Sequence, residues 1–249
     1  MSETQTERGV GFFSGNALKF LAAAAMLIDH IGLILFPDIF VLRAIGRLAF
    51  PIFAYMIAEG CRYTRRKARY LLIIFAEGAV CQAVLFAVER SWRAKWNVLL
   101  TFSLSILLVY SLQFAKARLA EDNDEIARKV LPLCLFFAAV AGVAILTLYV
   151  GVEYGFFGCL LPVFAALLHP AEGRERGKWE KPWFTVPLFG LGLLLICFTR
   201  DAVQYFSLFA LLPLFFYSGK RGRWRAKYFF YIFYPAHLLV LYLVARLIA

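Results

Sequence analysis

Apolar residues arrive along this chain in blocks of about 17 to 22 positions, set apart by short polar and basic stretches; that is the length a helix needs to cross roughly 30 Å of hydrocarbon at 1.5 Å per residue. Lipid offers the backbone no hydrogen-bond partners, so each block must be a helix. The pattern predicts spans at residues 17–36, 40–61, 70–88, 98–115, 130–150, 156–168, 184–199, 202–217 and 228–248, with 156–168 the shortest. The expected fold is an all-α polytopic bundle of about nine transmembrane helices, with eight to ten as the bounds.

Composition agrees with this pattern. The chain has 249 residues, 62% of them hydrophobic and only 17% charged, with a mean hydropathy of +0.73, which is too apolar for a soluble domain. Residues 1–16 read as a polar cytoplasmic leader. They run into a first span that carries Asp29 and His30 and lacks a small-residue cleavage site, so that span is expected to be retained rather than cleaved as a signal peptide. No Gly/Ser-rich or Pro-rich linker and no repeat period divides residues 17–249, which read as one transmembrane domain.

A net charge of +11 would suggest nucleic acid for a soluble protein, but here the cations sit in loops between spans. With the N-terminus in the cytoplasm, 20 of the 27 Lys and Arg fall on the cytoplasmic side and seven outside, as the positive-inside rule requires. Nine crossings then leave the C-terminus outside, in the cell membrane, with lipids rather than nucleic acid as partners. The stretch 91–95 is the most basic one left outside. Cys61, Cys81, Cys134, Cys159 and Cys197 stand singly without metal-ligand spacing and read as small packing residues, so no metal is expected.

An ionisable side chain inside a span costs about 2.5–3.5 kcal/mol and needs a partner, a water-filled cavity or a function. Asp29 and His30 lie about 20 Å up the first helix. The short connection 37–39 makes the first two spans antiparallel neighbours, which returns Arg43 and Arg47 to the same depth. Four residues apart, the arginines share one helix face. Two readings follow: a buried ion pair that docks the helices, or a reaction centre with His30 as base, Asp29 tuning it and an arginine facing an oxyanion. His237 sits beside Tyr234-Pro235 in the last span, where proline frees a backbone carbonyl. Glu59 and Glu77 lie toward the Arg62–Arg69 loop, where local salt bridges account for them. Asn97, Gln204 and Glu153-Tyr154-Gly155 gather at the outer side.

Two basic cytoplasmic loops stand out. One carries Arg62, Arg65, Arg66 and Arg69 with Tyr63; the other carries Lys220, Arg221 and Lys227 with Trp224. Orientation and lipid headgroups explain them, and so does a phosphate-bearing cytoplasmic ligand held by guanidiniums with an aromatic under its base.

Several blocks carry a family likeness: Met26-Leu27-Ile28-Asp29-His30-Ile31-Gly32, Leu42-Arg43-Ala44-Ile45-Gly46-Arg47-Leu48-Ala49-Phe50-Pro51, Glu59-Gly60, Asn97-Val98-Leu99-Leu100-Thr101, and the terminal Tyr234-Pro235-Ala236-His237. Over nearly its whole length the chain resembles the TraX family of integral membrane proteins, associated with N-acetylation of conjugative pilin. Two departures are Glu153, where the family pattern has aspartate, and Ser218, where it has asparagine; neither touches the proposed centre. TraX in turn resembles the acyltransferase-3 group and the lysosomal heparan glucosaminide N-acetyltransferase. The resemblance implies an acetyltransferase that uses acetyl-CoA from the cytoplasm. Its catalytic group would be His30, Asp29, Arg43, Arg47 and His237, with the basic loops holding the donor and a protein or glycan acceptor at the outer face. Two alternatives stand beside it: a proton-coupled transporter with Asp29, His30 and Arg47 as relay, and a non-catalytic assembly factor of a conjugation or secretion system.

Overall fold

A computed structural model describes residues 11–89, 95–121, 126–170, 181–223 and 227–248, and only the backbone of residues 88, 89, 127, 227 and 228. The basic positions Arg90, Arg93, Arg174 and Lys178, Trp224 with its neighbours, and the side chain of Lys227 therefore lie outside the described residues.

The described chain is helical throughout: α1 (Gly15–Ile34), α2 (Phe40–Gly46), α3 (Ala49–Tyr63), α4 (Lys67–Glu89), α5 (Val98–Leu119), α6 (Ile126–Tyr149), α7 (Gly155–Ala166), α8 (Pro182–Phe198), a 3-10 helix (Ala202–Ala210), α9 (Leu211–Phe215) and α10 (Lys227–Ile248). Six helical stretches are long and apolar enough to cross a membrane, the α2–α3 pair counting as one. Gly155–Ala166, Pro182–Phe198 and Ala202–Phe215 are shorter apolar helices. The protein is a polytopic helical membrane protein.

Two expected spans are not the continuous helices that hydropathy suggests. The second breaks into α2 and α3 at Arg47-Leu48. Pro51 has no N–H to give the Arg47 carbonyl, and the Arg47 amide splits its bond between the Arg43 and Ala44 carbonyls, each at 3.3 Å. The eighth is mostly 3-10 helix. At about 2.0 Å per residue its nine residues cover roughly 18 Å, and α9 adds about 7 Å, so a 14-residue stretch reaches most of the way across. The twelve residues of α7 cover only about 18 Å, and α7 packs against α3, α5, α6 and α8, whose side chains enclose it.

The core lies between α3, α5, α7 and α8, where Phe189, Ile52, Ile106, Leu108 and Leu161 are fully buried and Phe50 stacks on Phe102. The crossing window of α5 is 56% buried and that of α6 only 11%, so α5 is central and α6 presents its apolar side chains outward, as a lipid-facing helix must. Capping is local and polar. Ser14 Oγ accepts the Ala17 N–H at 3.2 Å, and Asn97 Oδ1 accepts the Leu99 and Leu100 N–H groups at the start of α5.

The connections after α1, α4, α6 and α8 all meet at one end of the bundle, where the Trp96 N–H donates to Gly151 and the Glu153 N–H to Trp96 at 2.8 and 2.9 Å. At the opposite end residues 13–16 pair with the strand-like segment before α10: Gly15 N–H donates to the Lys220 carbonyl and Asn16 N–H to that of Arg221. Here too Tyr217 Oη donates to Glu59, His169 lies 3.3 Å from Glu59, and Lys116 Nζ donates to the carbonyls at the end of α7.

The α1–α2 contact is unusually close because two glycines allow it. A Cβ on Gly32 would meet Leu42 at 2.7 Å, and one on Gly46 would fall 2.2 Å from the Asp29 side chain. Gly46→Ala is therefore expected to drive α1 and α2 apart and lower the melting temperature in detergent. Gly142→Ala, which meets nothing within 4 Å, should leave it unchanged or raise it slightly.

Candidate functional site

With α1 and α2 this close, one carboxylate meets two guanidiniums. Asp29 Oδ2 lies 2.7 Å from Arg43 Nη1, while Arg47 Nη2 spans both Asp29 oxygens at 2.7 and 2.9 Å. Arg43 Nη1 also donates to the Asp29 carbonyl at 3.2 Å, and Arg47 Nε to the Arg43 carbonyl at 3.4 Å. A guanidinium carries five N–H donors, so each arginine keeps donors beyond those spent on Asp29. The Asp29 and Arg47 side chains are each only 15% exposed. The helix break at Arg47 does not prevent the convergence expected from the four-residue spacing, because Arg47 remains one turn beyond Arg43.

His30 turns to α10 rather than to Asp29. Its Nδ1 lies 2.8 Å from His237 Nε2, and His237 Nδ1 lies 2.7 Å from the Phe233 carbonyl. A carbonyl only accepts, so His237 carries its proton on Nδ1 and offers a lone pair at Nε2; neutral His30 must then donate from Nδ1. This tautomer chain leaves His30 Nε2 as the basic nitrogen. Phe233 stacks on His237 with centroids 4.8 Å apart, and Tyr234 stands edge-on to both imidazoles, so two aromatic rings flank the pair.

Asp29, His30, Arg43 and Arg47 border an open cavity of about 680 Å³, whose other walls include Asp38, Lys95, Trp96, Glu153, Tyr154, Arg200 and Asp201 from the converging connections, Gln204 from the 3-10 helix and one face of α10. The Arg200 guanidinium covers the Tyr154 ring at 5.7 Å and Phe50 stacks on it at 3.7 Å. Tyr154 is a non-glycine residue at φ 62°, a strained conformation at the cavity wall. Burial raises the Glu153 carboxyl above its ordinary range, partly offset by the Arg47 charge, and burial likewise pushes the Tyr154 phenol up. Gln204 is buried with its amide nitrogen unpaired. Asn97, grouped with Gln204 on sequence grounds, lines the same cavity; besides capping α5 it donates to the Gly78 carbonyl and to Gln82.

A second, narrower cavity of about 180 Å³ opens at the opposite end of the bundle, and Asn16, Lys19 and Arg221 stand among its lining residues there. It runs between α1, α3, α4, α5 and α10 past Met56, Tyr70 and Phe230 to Met26, Phe233 and Tyr234. Sequence reading counted Lys19 only as an orienting charge; its place one turn inside the first span, on the side of α1 that carries Met26, is the signal that could have found it. Among the basic-loop residues expected to hold a ligand, Arg221 lines this cavity. Arg65, Arg66, Arg69 and Lys220 are exposed at the same end, and Arg62 sits over the Tyr63 ring at 5.4 Å. Glu77 also lines the cavity, while Glu59 engages Tyr217 and His169, a histidine that sequence reading did not single out.

The TraX protein family matches residues 14–245. The chain belongs to the TraX family. It is similar to the probable fimbrial assembly protein FimC, serogroup H1, of Dichelobacter nodosus, at 27% identity over 92% of this chain and 94% of that protein. It is also similar to an uncharacterized protein of Rickettsia prowazekii (strain Madrid E), at 44% identity over 22% of each chain. No solved structure matches the chain at a significant level. The TraX match spans both cavities and both imidazoles.

Removing one partner of a buried ion pair leaves the other charge uncompensated. Asp29→Asn, which leaves both guanidiniums without their carboxylate, is expected to cost about 3 kcal/mol in chemical unfolding in micelles, and Arg47→Met, which leaves Asp29 paired with Arg43, should cost less. Adding Asp29→Asn should cost less than the sum of the single changes, with a coupling of about 1–3 kcal/mol.

Proposed function

We propose that this TraX-family protein is a membrane-embedded acetyltransferase that moves an acetyl group from acetyl-CoA to an amine or hydroxyl at the opposite face. The observation that carries the reading is the tautomer chain from Phe233 through His237 to His30, which leaves a basic nitrogen beside two arginines at a water-accessible cavity. The Lys19 end is taken as cytoplasmic, by the positive-inside rule.

In this reading the donor's phosphates meet Lys19 and Arg221, and its acyl arm lies in the narrow cavity that ends below the histidines. The acceptor enters the wide cavity. His30 Nε2 removes the proton from the acceptor nitrogen or oxygen as that atom attacks the thioester carbon. The oxyanion that forms draws on the remaining N–H donors of Arg43 and Arg47. When the oxyanion collapses, the carbon–sulfur bond breaks, and the proton on Nε2 passes to the departing thiolate. His237 fixes the ring orientation and shares the imidazolium charge, while Asp29 holds the arginines in place.

A second reading, an assembly factor without catalysis, is favoured by the name of the Dichelobacter nodosus relative and by the ion pair, which docks α1 to α2 whatever the chemistry. Radiolabelled acetyl-CoA separates the two. His30→Ala should abolish turnover and keep donor binding, and His237→Ala should lower turnover by about 10²-fold or more. Full function of a folded His30→Ala protein would favour the assembly role. Lys19→Glu with Arg221→Glu should weaken donor binding at least tenfold in equilibrium dialysis; unchanged affinity would remove the donor from this cavity.

A further inference from the structure

One stripe of α10 borders both cavities. Phe230, Tyr234, Leu238 and Tyr242 recur at four-residue spacing and so share a helix face. Phe230 lines the narrow cavity, Leu238 and Tyr242 line the wide one, and among the described residues Tyr234 alone borders both. Tyr234 is 7% exposed and packs with Ala25, Met26, Ala49, Cys81 and Leu238. On the facing helix the sequence of linings is the same: Lys19 and Met26 on the narrow side, then Asp29, His30 and Leu33 on the wide side.

We propose that Tyr234 is the partition between the two cavities, a positioning residue whose ring closes the path through the bundle while no donor is bound and seats both imidazoles. The two cavities together reach both ends of the bundle, so a side chain must separate them if the membrane is to stay sealed. A rigid ring with two rotatable bonds does this at small entropic cost. The partition rests on this geometry alone; its value in keeping water from a thioester rests on the acetyltransferase reading.

The test uses the full chain in proteoliposomes with a trapped pH dye, driven by an acid pulse. Wild type and Tyr234→Phe should stay tight, while Tyr234→Ala should raise protein-dependent proton leak at least tenfold. Tyr234→Val gives the same test if the alanine variant does not fold. A folded Ala or Val variant as tight as wild type would overturn the partition. Acetyl-CoA hydrolysis without acceptor, measured on the same samples, should rise in the leaky variants and vanish when His30→Ala is added. Leak without any hydrolysis would keep the partition and count against acetyl transfer; hydrolysis without leak would do the reverse.

Discussion

The Asp29 carboxylate, clasped by Arg43 and Arg47 where α1 passes α2, is the constraint on which the rest of the structure depends. Charges at this depth are tolerable only as a neutralised group, and neutralising one carboxylate with two guanidiniums leaves a net positive charge. Glu153, Asp38 and Asp201 stand around the same cavity with Lys95 and Arg200, three carboxylates against two further cations, which lessens that charge. The clasp requires backbone approach that only glycine permits at Gly46, and the approach in turn turns His30 toward α10. Docking and chemistry therefore share residues, so a loss of function on removing Asp29 would not by itself distinguish them.

How much of this the sequence revealed depended on the kind of signal. Apolar block length located the six helical stretches long enough to cross and the three shorter apolar helices among the described residues, because hydrocarbon thickness imposes it. The convergence of Arg43 and Arg47 on Asp29 followed from spacing and a short connection, both local quantities. The breaks at Arg47 and in the eighth span were not legible from hydropathy, since proline placement and 3-10 winding change hydrogen bonding without changing how apolar a stretch is. The His30–His237 pair was the least legible: 207 residues separate the partners, and neither periodicity nor charge balance joins α1 to α10. The narrow cavity was missed for a similar reason, since five helices build it.

The two ends of the described chain close the site together. α10 packs against α1 and α4 and otherwise faces outward, with Ile232, Val240 and Leu243 exposed, so few contacts set its register. Two anchors do so. Before α10, the backbone of residues 13–16 pairs with residues 216–221; within it, His237 bonds His30 on the same α1 that residues 13–16 lead into. A helix held at two points along one neighbour cannot slide by a turn without losing both. That places Tyr234 level with the histidines, edge-on to both imidazoles.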